Sequence, residues 1–182
     1  GSLTEVIAFG RKNPGKLNFG SVGAGGLEHL WVTMLGRAMG AEFTHVPFKG
    51  MPDALTALVQ GEIDFVPCVI SAALPFVQKG SLRALCVLSD ERLASMPDLP
   101  TMKEQGVKVP PMEFWSGFAA PRGTPPAVVD HWFRDMKAVM AEPEMKQRMA
   151  DRGSTALTSA SPDAFAALIS SDLAWMNKVV QE

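Results

Sequence analysis

The spacing of apolar residues changes several times along the first half of the chain. Between residues 27 and 39 apolar positions recur three and four apart, which is typical of an amphipathic helix with one buried face. Short apolar runs bounded by glycine, proline and asparagine alternate with such segments and predict strands. The predicted helices cover residues 3–12, 27–39, 53–60 and 72–78, and the predicted strands cover residues 16–20, 42–48, 63–70 and 82–89. This alternation favours an α/β fold with a parallel sheet that is covered by helices on both faces.

The second half of the chain has a different pattern. A polar, proline-containing stretch over residues 90–111 marks a boundary. After it come one predicted strand, 113–120, and three predicted helices, 126–140, 143–152 and 163–180. One strand cannot form a sheet alone, so the apolar faces of these elements need a partner. We therefore predict a compact α/β lobe followed by part of a second lobe.

Composition and charge narrow the function classes. The 182 residues are 47% apolar and 20% charged, as in an ordinary globular protein, and the net charge of −2 gives no case for nucleic-acid binding. Cys68 and Cys86 lie in apolar runs at a spacing that does not suit a metal site. We interpret them as small buried hydrophobes, and a disulfide between them stays open. The pair Gly1-Ser2 resembles the remnant of a cleaved tag.

A glycine-rich turn is the most informative motif for binding. It reads Gly20-Ser21-Val22-Gly23-Ala24-Gly25-Gly26 and joins a predicted strand to a predicted helix. Small residues let a ligand approach the backbone, and the start of the helix offers unpaired N–H groups that favour an anion. The spacing lacks the Gly-Lys-Ser/Thr of a phosphate-binding loop and the third glycine of a dinucleotide site. A simple need for a tight turn is the alternative explanation.

Two further segments lie at the same predicted sheet edge. Ligands of open α/β sheets bind outside the carboxyl ends of the strands, where Lys49 and Gly50 follow one strand and Pro67 and Cys68 interrupt the next. Lys49 could pair with a carboxylate or could be an ordinary surface lysine.

No constellation of catalytic or metal-ligating residues emerges from the sequence. The three histidines do not cluster in sequence, and His29 is best interpreted as a buried or capping residue. Trp31, Trp132 and Trp175 are expected to pack against the core, whereas Trp115 is a candidate for facing a ligand.

The order of these motifs resembles the solute-binding receptors of tripartite tricarboxylate transporters, the Bug family. The resemblance is carried by NPGKLNFGS at 13–21, GAG at 23–25, HL at 29–30, HVPFKG at 45–50, ALTAL at 54–58, LRAL at 82–85, LPT at 99–101 and APRGTP at 120–125. These segments cover nearly the whole chain in the family's order, which is far more specific than any one motif.

The resemblance implies a type II periplasmic-binding-protein-like fold, with a ligand cleft between two lobes. Residues 3–110 would be the ligand-binding lobe two, and residues 111–182 the C-terminal part of lobe one, whose N-terminal portion would be missing. The protein would be periplasmic, would hold a small carboxylate without a cofactor or metal, and would present it to a membrane permease. A homodimer through the incomplete lobe is also expected. The ligand-binding residues implied in this way are Ser21, Gly23, Ala24, Gly25, Gly26, Lys49, Gly50, Pro67 and Cys68.

Three positions depart from the family pattern. Phe48 stands where members commonly have tyrosine, Cys68 where many have aspartate, and Gly26 where a serine or threonine is usual. The first loses a hydroxyl contact and the second makes the site more apolar, which suggests a plain or aromatic carboxylate rather than an amino acid. The third removes a hydroxyl from the start of the helix.

Two other classes of function stay open at this point. An effector-sensing domain of a regulator would have a similar fold, and a DNA-binding segment upstream would identify it. An α/β enzyme could use the glycine-rich turn for a phosphate or cofactor, although the sequence shows no nucleophile paired with a base.

Overall fold

The computed structural model divides the chain into two units, residues 1–113 and residues 114–182. It describes residues 1–93, 95–112, 114–152, 154 and 156–181. The predicted boundary lay after residue 110, close to this division, and the assignment of the two segments to lobes stays a prediction.

A small parallel sheet forms the centre of the first unit. Strand β1 is Leu17–Ser21 and strand β2 is Phe43–Pro47, in parallel register with Phe19 opposite His45. On the other side of β1, Phe65 makes an isolated parallel bridge to Phe19. The carboxyl ends of these segments therefore meet at one edge, as the sequence predicted.

Four helices lie among the residues of the first unit that the structure describes. They are α1 (Leu3–Lys12), α2 (Leu27–Met39), α3 (Met51–Gln60) and α4 (Ile70–Gln78). Helix α1 begins with a capping box in which the Ser2 hydroxyl accepts from the Glu5 N–H, so Ser2 contributes to the fold although the sequence marks it as a tag remnant. Helices α2 and α3 each end at a left-handed glycine, Gly40 with φ 62° and Gly61 with φ 75°.

The core of the first unit is built on α2 and β1. Its largest fully buried side chains are those of Trp31, Phe19, Leu35 and Val32. The indole Nε1 of Trp31 donates to the carbonyl oxygen of Pro110 at 3.0 Å, which ties the end of the unit back onto α2. The prediction that Trp31 packs in the core is confirmed.

Three predicted strands are wrong. In the segment 63–70, pairing is confined to Phe65, because the Pro67 nitrogen has no hydrogen to donate and α4 already begins at Ile70. In the segment 82–89, only Val87 forms a bridge, to Thr101. The described residues of the segment 113–120 form no strand, because the elements around them in this unit are helices and supply no pairing edge.

In the second unit, the described part of the chain forms three helices, α5 (Pro126–Ala141), α6 (Pro143–Asp151) and α7 (Pro162–Gln181). The indole of Trp115 meets the ring of Phe165 edge-on at 5.1 Å, and its Nε1 donates to an Asp172 carboxylate oxygen at 2.6 Å. Trp115 therefore anchors the start of this unit to α7. The expectation that Trp132 packs in a core is wrong within this unit, since its side chain is 58% exposed.

Candidate functional site

The glycine-rich turn leaves β1 and enters α2 with an open backbone. Gly23 has φ 87° and Gly25 has φ 78°, a region that glycine adopts without strain. A Cβ atom placed on either residue would find no other heavy atom within 4 Å. Both glycines, together with the exposed Ala24, therefore present their backbone to free space, as close approach by a ligand requires.

The start of α2 lacks a side-chain cap. Gly26 is the N-cap residue, with φ −69° and ψ 166°, and no side-chain hydrogen bond caps the helix. The first N–H groups of a helix have no partner within the helix, and they carry the positive end of its dipole. Glu28, in the first turn, is the acidic residue that partly balances this potential.

The hydroxyl group of Ser21 is already used by the protein. Ser21 is fully buried, its hydroxyl donates to the carbonyl oxygen of Gly23 at 3.0 Å, and its Oγ lies 2.6 Å from Nε2 of His45. From its buried position, this side chain holds the backbone of the turn through the carbonyl group of Gly23. The carbonyl oxygen of Ser21 also accepts from the Phe48 N–H at 2.9 Å, which joins the first turn to the second.

One amide of the turn is held by a histidine. The Gly25 N–H donates to Nδ1 of His29 at 3.0 Å. The His29 ring stacks on His45, with centroids 4.0 Å apart and planes 23° apart, and the Phe19 ring lies 5.0 Å from His45. His29 thus holds one amide of the turn before the helix, and the first amides of α2 itself stay without a side-chain cap. No local pattern indicated the contact with His45, which depends on the parallel register of β1 and β2.

Burial lowers the pKa of His45, and the neighbouring His29 lowers it further. The neutral imidazole is therefore favoured at this position.

The second turn carries Lys49 and Gly50. Gly50 is the N-cap residue of α3, again without a side-chain cap, and Pro52 and Asp53 follow within the first turn. Lys49 is exposed. Two uncapped helix starts thus follow two neighbouring parallel strands, and the hydrogen bond from Phe48 to Ser21 connects them.

Pro67 and Cys68 complete the set of predicted site residues. Pro67 is buried and Cys68 is half-buried. Burial raises the pKa of the Cys68 thiol to about 11, and the carboxylate of Glu28, in the first turn of α2, raises it too. Cys68 and Cys86 are both free thiols in this structure.

Close packing explains why residue 20 is a glycine. A Cβ atom on Gly20 would lie 2.7 Å from the side chain of Ile63, 3.1 Å from that of Val66 and 3.3 Å from that of Phe48. Only glycine lets these side chains, from two segments, meet over the end of β1. Phe48, which stands in place of the family's tyrosine, therefore takes part in apolar packing behind the turns.

Other features of the described residues lie away from the predicted site residues. An open cavity of about 440 Å³ lies near the start of β2, lined by residues that include Gly10, Thr33, Arg37 and Phe43, and by none of the predicted site residues. Within the described ranges no cluster of histidine, cysteine or carboxylate side chains could hold a metal ion. No helix among those residues is long and apolar enough to cross a membrane.

Comparisons with known proteins agree on one family. The family model described as "Tripartite tricarboxylate transporter family receptor" matches residues 1–182. A UPF0065 protein of Bordetella pertussis is 38% identical over 128 residues, which are 70% of this chain and 40% of that protein. The chain spans about half the length of the curated relatives that it matches.

Solved structures show the same architecture. A protein of R. palustris with adipate superposes with a TM-score of 0.87 at 26% identity, over 99% of this chain and 60% of that one. The protein MatC from Rhodopseudomonas palustris with bound malate gives a TM-score of 0.83 at 27% identity, over 98% and 62% of the two chains. The predicted type II periplasmic-binding-protein-like α/β fold is therefore confirmed.

Proposed function

Because the chain belongs to the family of tripartite tricarboxylate transporter receptors, we propose that it captures small organic carboxylates for uptake and is not an enzyme. The match of the whole chain to a family of receptors, and not of enzymes, supports this proposal. The choice of ligand is supported by two similar structures that carry adipate and malate, both dicarboxylates.

The geometry of the two turns is the observation that carries the proposal. Gly23 and Gly25 open the backbone to free space, and α2 and α3 both begin at glycines without side-chain caps. A carboxylate placed there would accept hydrogen bonds from N–H groups that lack intrahelical partners, and two helix dipoles would favour its charge. We assign the docking point to Gly23, Ala24, Gly25 and Gly26 of the first turn and to Lys49 and Gly50 of the second. Ser21, which the sequence placed in the same set, is fully buried and supports the turn through its hydrogen bond to Gly23 without reaching the ligand.

Pro67 and Cys68 would form the apolar wall of the same site. Cys68 carries no charge at neutral pH, because burial raises its pKa to about 11. Where family members with aspartate could receive an amino group, this chain offers a neutral thiol beside buried Pro67. This difference supports a plain or aromatic carboxylate as the ligand.

The remaining parts of the function extend this assignment. We propose that residues 3–110 form lobe two, that residues 111–182 form the C-terminal part of lobe one, and that the protein works in the periplasm with a membrane permease. A homodimer through the second unit is the further partner that we propose, supported by large apolar side chains that are exposed within that unit, such as Phe118 at 71% and Trp132 at 58%. Sedimentation velocity across a hundredfold range of concentration tests the dimer, and a monomer throughout would contradict it.

Calorimetric titration tests the binding proposal. The 182-residue chain and, in parallel, the product of the complete gene are titrated with acetate, benzoate, malate, adipate and citrate. Adipamide, in which neutral amides replace the carboxylates of adipate, is the matched control. We expect saturable binding of at least one carboxylate and none of adipamide. Absence of binding to every carboxylate by the complete gene product would overturn the proposal.

A further inference from the structure

The hydrogen bonds of Ser21 determine the tautomer of His45. A serine hydroxyl has one hydrogen, and that of Ser21 goes to the carbonyl oxygen of Gly23. The contact of 2.6 Å between Ser21 Oγ and His45 Nε2 therefore requires the histidine to donate. Neutral His45 accordingly carries its hydrogen on Nε2.

The tautomer of His29 follows in the same way. Its Nδ1 accepts the Gly25 N–H at 3.0 Å, so this nitrogen carries no hydrogen. Neutral His29 therefore holds its hydrogen on Nε2. Adding a proton to Nδ1 would set two donors against each other, so His29 cannot be protonated while it holds the Gly25 amide.

The stacked arrangement limits how much charge the two rings can carry. The centroids of His29 and His45 lie 4.0 Å apart, a distance at which two positive charges repel each other strongly. His45 is the less favourable site for a proton, because burial and then His29 lower its pKa. Once Nδ1 of His29 is released from the Gly25 N–H, a proton that enters the pair therefore goes to His29.

Other titratable or charged groups on the surrounding elements are few. Glu28 lies beside His29 on α2, Lys49 and Asp53 flank the start of α3, and Cys68 follows the Phe65 bridge. Cys68 is neutral around pH 7, since burial holds its pKa near 11. Glu28 adds a negative charge in the first turn of the same helix.

We propose that capture of a carboxylate at the glycine-rich turn is coupled to the uptake of one proton by His29. This inference rests on the function proposed above. A carboxylate oxygen that accepts the Gly25 N–H releases Nδ1 of His29, which then takes a proton from solvent. The resulting imidazolium lies beside the bound anion and pairs with it. Without ligand, His29 positions the Gly25 amide. With ligand bound, its imidazolium supplies the positive charge that balances the carboxylate.

Proton uptake is measured by calorimetry in two buffers that differ in their enthalpy of ionisation. The complete gene product is titrated at several values between pH 6 and pH 8 with whichever carboxylate of the panel binds. We expect net uptake of up to about one proton, and an affinity that falls as the pH rises, by up to about tenfold per pH unit.

Two matched substitutions test whether the proton is taken up by His29 or by another part of the protein. The His29→Gln side chain can still accept the Gly25 N–H but takes up no proton, so we expect binding that is independent of pH and of buffer. His131→Gln serves as the control, because His131 lies on α5 with a side chain that is 66% exposed and pairs with Asp135. It should retain the proton uptake of the natural sequence.

The Gly25 amide gives a readout that does not need a ligand. In two-dimensional nitrogen–proton NMR spectra its chemical shift should move with the protonation of His29, and this movement should disappear in His29→Gln. A Gly25 amide that stays fixed while His29 titrates would overturn the inference. Carboxylate binding without proton uptake would also overturn it and would leave the proposed function standing, whereas a complete absence of binding would remove both.

Discussion

Oγ of Ser21 lies 2.6 Å from Nε2 of His45, and this contact joins the end of β1 to the middle of β2. The two residues are not register partners, since Ser21 pairs with Pro47 and His45 with Phe19. The hydroxyl therefore bridges diagonally between the strands and at the same time fixes the carbonyl group of Gly23. One buried side chain thus connects the sheet to the turn that we assign to ligand binding.

Replacing Ser21 by alanine should destabilise the fold. The change leaves the Gly23 carbonyl and the His45 ring without their partner, and an unsatisfied buried polar group costs about 1–3 kcal/mol. Urea unfolding of Ser21→Ala measures this loss. The control is Ser81→Ala at an exposed position, which should change the unfolding free energy by less than about 0.5 kcal/mol. Equal stability of the two variants would contradict the role given to Ser21.

An aspartate at Gly26 should compete with the ligand. Gly26→Asp would place a carboxylate at the N-cap position of α2, where it accepts the first N–H groups of the helix. We expect carboxylate affinity to fall by at least about tenfold, or ~1.4 kcal/mol, while the melting temperature is maintained or raised. Titration calorimetry and thermal unfolding measure both effects.

Gly26→Ala is the steric control for that experiment. Its Cβ would meet the carbonyl oxygen of Val22 at 3.2 Å, as would that of aspartate, but it brings no charge. Affinity that falls equally in both variants would show that crowding, and not competition for the amides, is responsible.

Gly36→Ala should destabilise the protein although it lies inside a helix. Alanine normally stabilises a helix by about 1 kcal/mol relative to glycine. Here the added Cβ would lie 2.7 Å from the carbonyl oxygen of Ala41, where the chain turns back toward β2. We expect a loss of about 1–3 kcal/mol in chemical denaturation. The exposed neighbour Arg37→Ala should be close to neutral, and a stabilised Gly36→Ala would refute this packing.

The two thiols should be unreactive in the folded state. Burial raises the pKa of Cys68 and of Cys86 from 9.0 to about 11, so both are protonated around pH 8. A chromogenic disulfide reagent should react slowly with the native protein and rapidly in denaturant. Fast labelling of the native protein at pH 8 would argue against this burial.

The same pKa shifts predict a loss of stability at high pH. The folded state binds these protons more tightly than the unfolded state, so the contribution is complete below pH 9 and disappears as the pH rises toward 11. At pH 10 the loss should be about 1 kcal/mol per thiol. The double substitution Cys68→Ala and Cys86→Ala should reduce this part of the pH dependence, as urea unfolding at pH 8 and pH 10 would show.

Helices were easier to predict from the sequence than strands. The period of residues 27–39 identifies α2 because one face of that helix, including Trp31 and Leu35, is buried. The apolar run 82–89 looks the same whether it pairs with a strand or with an irregular segment, and the structure gives only the bridge from Val87 to Thr101. Strand formation depends on a distant partner that local pattern does not reveal.

The candidate site shows the same limit. The glycines at positions 23 and 25 could be found because their conformational freedom is encoded in residue type. The pairing of His29 with His45 could not, because it arises from the register that sets Phe19 opposite His45.

The burial of Trp31 gives the first unit its own optical reporter. The chain has no tyrosine, and of its four tryptophans only Trp31 precedes residue 114. Its indole is 2% exposed and donates to Pro110, so its emission should be blue-shifted in the native state and should shift to the red when the core around α2 opens. A protein in which Trp115, Trp132 and Trp175 are replaced by phenylalanine would therefore report, by fluorescence alone, the unfolding of the unit that carries the glycine-rich turn.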